Sequence, residues 1–489
     1  MKVIAVDIGA TSGRVMTVTC ANSKISYLEN HRFPNSLIEK EGRLFWDFEA
    51  LINHIIKGIH IALKADDEIQ ALSIDTWAVD FGLLDREGNL LSLPLAYRDT
   101  HSFETQKELL NQFSFEKLYS ITGIQNLHFN TIYQLYRYPL VKEADKILMI
   151  PDLIAYRLTG KMRLERTNLS TTALYNPQKR KISEELLELI GVRKEQFPEI
   201  IDPGEAYGDL NKDLFPELKR DIKVIACASH DTASAVLGAN IEEDDAYLSS
   251  GTWSLLGMEL KDPIITKESR EKNFTNEVGY QHTIRFLKNT MGMFLINEVR
   301  NDFKKDGLII QPGEIISYIE KRKGETIYLD LDDSSFETPG NMRKKIEEYA
   351  KKTDQKPIVD PGDYFHSIYL SMAIKYRMLI ENLEKITQRK IHRFLIVGGG
   401  NQAVVLNQYT ANMLNRDVII GSEEATILGN ALAQFIALKQ IEDVKEGRKI
   451  ITNSLPHREY HPQDIDLFQK EYEQYQKITE RTTDYEQRN

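Results

Sequence analysis

The sequence is poor in cysteine and has no long apolar runs. Its 489 residues include two cysteines, Cys20 and Cys227, which lie far apart in the chain, so neither a disulfide framework nor a cysteine-based metal site is indicated. No apolar run approaches the roughly 18 residues of a membrane span. The apolar stretch between Lys2 and Asp7 is too short for a signal peptide. We therefore expect a cytoplasmic protein.

Positive charge and the common nucleotide motifs are also scarce. The chain has 62 Lys and Arg against 73 Asp and Glu, a formal net charge of -11, which argues against nucleic acid or an anionic membrane as a partner. It contains neither a P-loop motif nor a Gly-x-Gly-x-x-Gly turn that opens a helix, and no His-Glu-x-x-His zinc motif. Any phosphate site must therefore be built from other turns.

One candidate phosphate turn lies near the start of the chain. The segment Asp-Ile-Gly-Ala-Thr-Ser-Gly-Arg (7–14) lies between two apolar stretches and predicts a strand, a tight turn and a second strand. Gly9 and Gly13, with hydroxyls between them, would let backbone N–H groups close around phosphate oxygens. Asp7 could hold Mg²⁺ through water. Taken alone, the motif is more typical of a plain β-hairpin whose glycines serve only the turn.

Two later segments also contain glycines next to apolar stretches. Leu-Ser-Ser-Gly-Thr-Trp-Ser (248–254) is a second hydroxyl-glycine turn between apolar stretches, and the apolar segment 394–397 runs into the triplet Gly398 to Gly400. Similar hairpins in the two halves of the chain predict a duplicated domain. We place the boundary in the polar segment 240–245, which gives domains of 1–240 and 241–489, and 489 residues are enough for two cores.

The segment Ala-Ser-His-Asp-Thr-Ala-Ser-Ala-Val (228–236) carries the candidate catalytic group. It predicts a strand-to-helix junction at which the carboxylate of Asp231 could act as a general base. Ser, Asp and Thr before an apolar run are also typical of an ordinary helix N-cap, so the pattern alone leaves both interpretations open.

These motifs, together with Ser-Ile-Asp-Thr-Trp-Ala-Val-Asp-Phe-Gly (73–82) and Ala-Tyr-Arg-Asp (96–99), resemble those of the FGGY family of carbohydrate kinases. The resemblance covers nearly the whole chain. It implies an α/β fold of two actin/hexokinase-like (ribonuclease H-like) domains with the active site in the cleft between them. It also implies a small-molecule sugar substrate, with ATP and Mg²⁺ as cofactors. We expect a monomer or a homodimer.

Carried over position by position, the resemblance implies that Asp231 takes the proton from the C1 hydroxyl of the sugar. The implied sugar contacts are Ala78, His230, Asp231, Thr232 and Asn289. The implied ATP contacts are Ala10, Thr11, Ser12, Gly13, Arg14, Thr252, Asn297 and Gly400, and Asp7 is the implied magnesium residue. The family usually has Gly at position 78 and Gln at position 297, so this chain departs from it there.

The implied reaction is transfer of phosphate from ATP to O1 of a 6-deoxy-ketohexose, with L-rhamnulose as the expected substrate. L-Fuculose, which differs at one hydroxyl configuration, stays open because Ala78 adds a methyl group to the expected sugar pocket. A sugar- and nucleotide-binding regulator without kinase chemistry is the alternative of a different class. Further candidates for binding sugar hydroxyls are Asp75, Asp80, Arg98 and Asp99, for which the alternative is that they are only polar groups at strand ends.

Two charged segments lie outside these motifs. Residues 304–356 are charged and contain Pro-Gly turns, and we expect an irregular surface segment or lid there. Residues 464–489 predict a charged helix, most of whose surface is expected to face solvent.

Overall fold

The structure is a computed structural model that describes residues 1–216, 218–456 and 458–488, with side chains described up to residue 479. The strands are Lys2–Ile8 (β1), Ser12–Ala21 (β2), Lys24–Pro34 (β3), Leu37–Lys40 (β4), Arg43–Trp46 (β5), Ile69–Thr76 (β6), Phe81–Leu84 (β7), Lys146–Met149 (β8), Leu164–Glu165 (β9), Tyr175–Asn176 (β10), Lys181–Ile182 (β11), Ile200–Ile201 (β12), Ala206–Asp209 (β13), Lys223–Ile225 (β14), Ala246–Ser250 (β15), Trp253–Leu260 (β16), Thr275–Val278 (β17), Ile284–Met291 (β18), Phe394–Val397 (β19), Val418–Ile420 (β20) and Arg458–Tyr460 (β21).

The helices are Phe48–Ala65 (α1), Ser102–Gln112 (α2), Phe115–Thr122 (α3), Thr131–Leu135 (α4), Ile150–Thr159 (α5), Arg166–Leu169 (α6), Glu184–Ile190 (α7), Asp231–Gly238 (α8), Lys267–Glu271 (α9), Phe294–Lys305 (α10), Ile315–Lys321 (α11), Met342–Lys352 (α12), Pro361–Thr387 (α13), Val404–Leu414 (α14), Ala425–Ala437 (α15), Val444–Ser454 (α16) and Ile465–Arg488 (α17). In the described part of the chain, none of them combines the length and the apolar character that a bilayer crossing requires.

The chain forms two units, each assembled from segments that are distant in sequence. The first unit comprises Met1–Ile241, Glu259–Leu287 and Glu424–Pro456. The second comprises Glu242–Met258, Lys288–Glu423 and His457–Asn489. The sequence-based boundary after residue 240 stays a prediction about the domains.

The first unit is built on a mixed sheet in the order β13-β14-β6-β1-β2-β3. The hairpin β1/β2 is antiparallel, whereas β6 runs parallel to β1 and β14 parallel to β6. Because β1 is a continuous apolar strand, it is buried on both faces, as expected of a central strand. The register pairs Asp7 with Asp75, so these two carboxyls lie side by side where β1 and β6 end.

The second unit repeats this arrangement. Its strands follow the order β16-β15-β19-β20-β21, with an antiparallel hairpin β15/β16 and with β19 and β20 parallel to β15. The predicted hairpins at 7–14 and 248–254 are therefore both confirmed, as is the strand before Gly398. Each unit places its hairpin next to two parallel strands.

One expectation about the charged segments was wrong and the other is confirmed. The segment 304–356 contains helices α11 and α12 in addition to turns, so it is more regular than predicted. The charged helix predicted at 464–489 is present as α17, and the described part of it is mostly exposed or half-buried. One face is packed, because Phe468, Tyr472 and Tyr475 join an apolar cluster with α13 and α14, and these aromatic residues recur at helical spacing.

Helices α8 and α15 cross in the first unit at two glycines. A Cβ atom on Gly429 would overlap the backbone of Ser234, and one on Gly238 would overlap the carbonyl oxygen of Ala425. The helix backbones can approach this closely only because both glycines lack a side chain. Leu237 and Leu428 lie in the same apolar core, so this crossing anchors the helix that begins at Asp231.

We predict that Gly429→Ala lowers the free energy of unfolding of the first unit by about 1–3 kcal/mol, because the added methyl group overpacks the crossing. The measurement is the urea midpoint followed by tryptophan fluorescence. Gly313→Ala is the matched control, since a Cβ there would meet no atom within 4 Å. An unchanged midpoint for Gly429→Ala would show that the crossing relaxes without cost.

Candidate active site

Asp231 is the first residue of α8 and follows directly on a segment held beside β6. The backbone N–H of Thr76 donates to the carbonyl of Ser229 at 2.9 Å, which fixes the approach to the helix. Asp231 Oδ1 accepts hydrogen bonds from the backbone N–H of Thr232 at 2.5 Å and from its hydroxyl at 3.1 Å. No described residue donates to Oδ2, and the side chain is 32% exposed. This oxygen is therefore available to accept a proton from a ligand.

The pKa of the Asp231 carboxyl is raised above its ordinary value. Burial is the largest cause, and the negative charge of Asp7 acts in the same direction. The His230 imidazole and the hydrogen bonds from Thr232 act in the opposite direction but do not outweigh burial. A carboxylate with a raised pKa is a stronger proton acceptor than an ordinary aspartate, as a general base requires.

His230 connects Asp231 to a buried ion pair. Its Nε2 lies 3.4 Å from Asp231 Oδ1, and its Nδ1 lies 3.1 Å from Arg285 Nη2 and 3.3 Å from Glu277 Oε2. Arg285 is fully buried and pairs with Glu277 at 3.1 Å. Burial raises the pKa of Glu277, but the Arg285 charge and the contact with His230 outweigh it, so this pKa lies below its usual range. Both ring nitrogens of His230 thus face protein groups, and its predicted sugar contact stays a prediction.

A second buried carboxylate holds the chain just before the base. Glu165 Oε2 accepts hydrogen bonds from the Ser229 hydroxyl at 2.5 Å, the Ser229 backbone N–H at 3.1 Å and the Thr167 hydroxyl at 2.6 Å. The same carboxylate accepts from the N–H groups that open α6. Burial raises the pKa of Glu165 although these hydrogen bonds oppose it. The Glu165 carboxylate therefore connects α6 to the segment that directly precedes Asp231.

Asp7 lies at the end of β1 within an ion-pair network. Arg14 Nη2 contacts Asp7 Oδ2 at 2.5 Å, and Arg14 Nη1 contacts Glu424 Oε2. The neighbouring Asp75 is fully buried and accepts from Asn430 Nδ2 at 2.6 Å, and burial together with the charge of Asp7 raises its pKa well above the ordinary value. Among the described residues no three His, Cys, Asp or Glu side chains are grouped to hold a metal ion. The single carboxylate of Asp7 is enough for Mg²⁺, because this ion commonly binds one or two carboxylates and keeps several of its waters.

The turn at 9–12 fits a phosphate group. Its shape is held by Gly9 N–H, which donates to Ser12 O at 2.9 Å, and by Asn35, whose backbone N–H donates to Thr11 O at 3.0 Å. Within the described chain, the backbone N–H groups of Ala10 and Thr11 have no partner, so they can receive an anionic oxygen. Gly13 has another role, since a Cβ there would overlap the Phe33 ring. Ser12 opens β2, and Arg14 pairs with Asp7.

The second unit has a separate glycine cradle. Gly398 has φ of 86°, and a Cβ on Gly400 would overlap the side chain of Ser250. Nothing lies within 4 Å of the Cβ position of Gly399. This open backbone surface fits the close approach of a flat ring or a phosphate group.

The other predicted ATP residues of the second unit are also accessible. Thr252 is exposed in the turn between β15 and β16, where its carbonyl accepts from Phe294 N–H at 3.3 Å. Asn297 is exposed on α10, and its Oδ1 accepts from Arg300 at 3.1 Å. Asn289, the predicted sugar contact, is half-buried on β18.

The candidate sugar residues of the first unit have different environments. Thr232 is buried on α8 and Ala78 is half-buried just after β6. Asp99 accepts hydrogen bonds from the backbone N–H groups of Leu44 and His101 at 2.8 and 3.0 Å, and it pairs with Arg43 at 3.0 Å. The Asp99 carboxylate therefore stabilises the local fold through these contacts. Arg98 is exposed and stacks on its neighbour Tyr97.

Sequence reasoning missed three buried charged side chains that contact the residues just before Asp231, namely Glu165, Glu277 and Arg285. The signal for Arg285 is a charged residue inside an otherwise apolar stretch, Ile-Arg-Phe-Leu (284–287). A charge placed on a buried strand must be paired, so it indicates a partner. The identity of that partner depends on the fold.

Two family profiles match the chain in sequence. The N-terminal domain of the FGGY family of carbohydrate kinases matches residues 2–238, and its C-terminal domain matches residues 246–438. The chain belongs to the FGGY family of carbohydrate kinases. Membership implies ATP and a sugar as substrates.

Curated relatives within the family are similar over nearly their whole length. A protein named rhamnulokinase from Bacillus subtilis (strain 168) is 42% identical over 468 residues, which cover 94% of this chain and 96% of the relative. A rhamnulokinase from Bacteroides thetaiotaomicron is 38% identical over 475 residues, with 96% and 97% covered.

Solved structures of sugar and glycerol kinases share the fold. Plasmodium falciparum glycerol kinase with ADP superimposes with a TM-score of 0.81 at 16% identity, covering 98% of both chains. A xylulose kinase from Lactobacillus acidophilus gives 0.79 at 17% identity, with 99% of this chain and 97% of that chain covered. The predicted α/β fold of two kinase domains is therefore confirmed.

The raised pKa of Asp231 predicts the acid side of the pH profile. Because the base must be ionised, kcat/KM for the sugar should fall about tenfold per pH unit below an apparent pKa that lies above the ordinary value of roughly 3.9. His230, Asp7, Asp75 and Tyr97 are the titratable groups whose charges reach Asp231. The profile is measured at saturating MgATP, with circular dichroism at each pH to exclude acid unfolding. A limb at pH 4 or below would contradict the raised pKa.

Glu165→Gln tests the anchoring of the segment before the base. The NH₂ group of the amide would face the Ser229 and Thr167 groups that donate to the carboxylate, and two donors cannot pair. We therefore expect kcat to fall about tenfold and the free energy of unfolding to fall by about 1–3 kcal/mol. Steady-state kinetics and urea unfolding measure the two effects. The control is Glu188→Gln on the exposed face of α7. Unchanged kcat in the Glu165 variant would show that the carboxylate does not position the base.

Proposed function

We propose that this protein transfers the γ-phosphate of ATP to O1 of L-rhamnulose, with Asp231 as the general base. The observation that carries the proposal is the unpaired Oδ2 of Asp231, with its raised pKa, at the start of α8. The substrate is taken from relatives named rhamnulokinase, which are similar over more than nine tenths of both chains.

In the proposed reaction Asp231 accepts the proton of the sugar O1 hydroxyl as that oxygen attacks the γ-phosphorus of ATP. A base of this kind contributes on the order of 10²–10⁴ in rate, and the remainder comes from alignment and from stabilising charge on the phosphate oxygens. His230 and Thr232 keep the carboxylate oriented so that Oδ2 faces outward. The negative charge of Asp7 disfavours the charged form of Asp231 and so strengthens it as a proton acceptor.

The phosphates would be held by residues of both predicted domains. The free N–H groups of Ala10 and Thr11 and the guanidinium of Arg14 supply donors in the first unit, and the cradle at Gly398 to Gly400 accepts the nucleoside in the second. Bound Mg²⁺ would neutralise phosphate charge, with Asp7 as its protein residue. In this proposal Arg14 exchanges its pairing with Asp7 for a phosphate oxygen.

The proposed compartment is the cytoplasm, where ATP is abundant and thiols stay reduced. Cys20 and Cys227 are both buried free thiols, which suits a reducing compartment. We propose a monomer or a homodimer as the working form.

We predict that ADP release with MgATP is fastest with L-rhamnulose in a panel that also contains L-fuculose, L-ribulose, D-xylulose and glycerol. Asp231→Asn should lower sugar-dependent ADP release by at least about 10²-fold, because the amide cannot accept the proton. The matched control is Asp262→Asn at an exposed position of the same unit. Preference for L-fuculose would keep the mechanism and change the substrate. Full activity of Asp231→Asn would overturn the assignment of the base.

A further inference from the structure

Helix α8, which begins at Asp231, ends against the guanidinium of Arg448 on α16. Arg448 Nη2 donates to the carbonyl oxygen of Val236 at 3.0 Å, and Arg448 Nε donates to that of Leu237 at 3.3 Å. The last carbonyl groups of a helix have no donors within the helix, and the helix dipole places partial negative charge there. Arg448 therefore supplies both hydrogen-bond donors and a positive charge at the end of α8.

The same guanidinium also contacts the two residues that flank segment 242–258, which belongs to the second unit. These residues are Ile241 and Glu259, and both belong to the first unit. Arg448 Nη1 donates to the carbonyl oxygen of Ile241 at 2.9 Å, and Nη2 also donates to Glu259 Oε2 at 2.9 Å. The other carboxylate oxygen of Glu259 accepts from the hydroxyl of Thr283 at 3.0 Å. Arg448 thus connects the end of α8 to other parts of the same unit.

Burial restricts the guanidinium to this arrangement. The side chain of Arg448 is 12% exposed and that of Glu259 is 18% exposed. All three guanidinium nitrogens donate to protein oxygens. A charged group with little access to water is costly to bury unless it is paired, so loss of any of these partners is unfavourable. The position of Arg448 therefore fixes the carbonyl groups that it binds.

Helix α16 is itself held against α15, the helix that crosses α8. A Cβ atom on Gly447, next to Arg448, would overlap the side chain of Leu432 on α15. Ile450 and Ile451 of α16 lie in the same apolar core as Leu432. The absence of a side chain at Gly447 lets α16 approach α15 closely. Helix α8 is thus held along its side by α15 and at its end by Arg448.

The short length of α8 links this end contact to the base. The helix has eight residues, and at a rise of about 1.5 Å per residue Asp231 lies only about 9 Å along the axis from Leu237. A hydrogen-bonded helix of this length moves as one body, so a shift of its last turn also shifts Asp231. Displacement of a reacting group by about 1 Å can cost about 10²-fold in rate.

We propose that Arg448 is a positioning residue for the phosphate transfer, which holds the end of α8 and thereby fixes the position of the Asp231 carboxylate. Arg448 acts through the helix and not on the substrates. This inference rests on the proposed function, in which Asp231 is the general base, and it gives a residue of α16 a part in the reaction.

A double-mutant cycle between Arg448 and Asp231 tests the proposal. Arg448→Met keeps an unbranched side chain but removes the charge and the donors. Alone, it should lower kcat for ketose phosphorylation about tenfold, with the KM for ATP within about twofold of wild type. In the Asp231→Asn background the same change should lower kcat by less than about twofold, because the base is already absent. A purely structural role would lower kcat by the same factor in both backgrounds.

Two further variants complete the cycle. Lys449→Met is the matched control, because it removes a positive charge from an exposed position of the same helix and should leave kcat unchanged. Arg448→Lys replaces Arg448→Met if the methionine variant does not fold, since it keeps the charge, but one ammonium group cannot reach all the acceptors of the guanidinium. It should lower kcat at least about threefold when Asp231 is present and by less than about twofold in the Asp231→Asn background. Urea unfolding shows whether each variant is folded under the assay conditions.

All rates are measured with the ketose that the wild-type enzyme phosphorylates best. Equal factors in the two backgrounds, or an unchanged kcat in Arg448→Met, would overturn the role of Arg448 and leave the proposed function intact. Loss of folding in both Arg448 variants would assign the residue to the fold alone and would also overturn it. Full activity of Asp231→Asn by itself, or a wild-type enzyme without ketose turnover, would overturn the proposed function and this inference together.

Discussion

The crossing of α8 and α15 is the constraint on which the rest of the first unit depends. Gly238 and Gly429 let the two helix backbones approach to a distance that no side chain would permit. That approach sets the position of Asp231, which begins α8, and brings Asn430 of α15 to Asp75. The position of the Asp231 carboxyl thus depends on the absence of a side chain at Gly238 and at Gly429.

Buried carboxylates then define the surroundings of the base. Asp80, Glu165 and Glu277 each accept several hydrogen bonds or pair with a cation, so each organises a different stretch of backbone or side chain. Such groups are costly to bury unless every oxygen is satisfied, and this cost makes their geometry strict. Asp231 differs from them because one of its oxygens has no partner among the described residues. Its neighbours provide rigidity, and it retains the capacity to react.

The local features of this fold could be predicted from the sequence. The hairpin at 7–14 and the helix that begins at Asp231 depend on residues that are neighbours in the chain, so turn chemistry and apolar patterning indicated them. The partners of the base could not be predicted in this way. Glu165 reaches Ser229 across 64 positions, and the reason for Gly13 is the ring of Phe33 on another strand. Such contacts depend on sheet order and register, which single-sequence patterns do not contain.

The division of the chain has a consequence for its synthesis. The first unit is complete only when residues 424–456 have joined it, because α15 covers the core that β1, β2 and α8 leave open. On the ribosome, the segment with the proposed base therefore emerges long before the helix that supports it. During that interval its apolar face is exposed, and the nascent chain must avoid misfolding without its late partner. A kinase built this way cannot act on ATP until residues 424–456 have been translated.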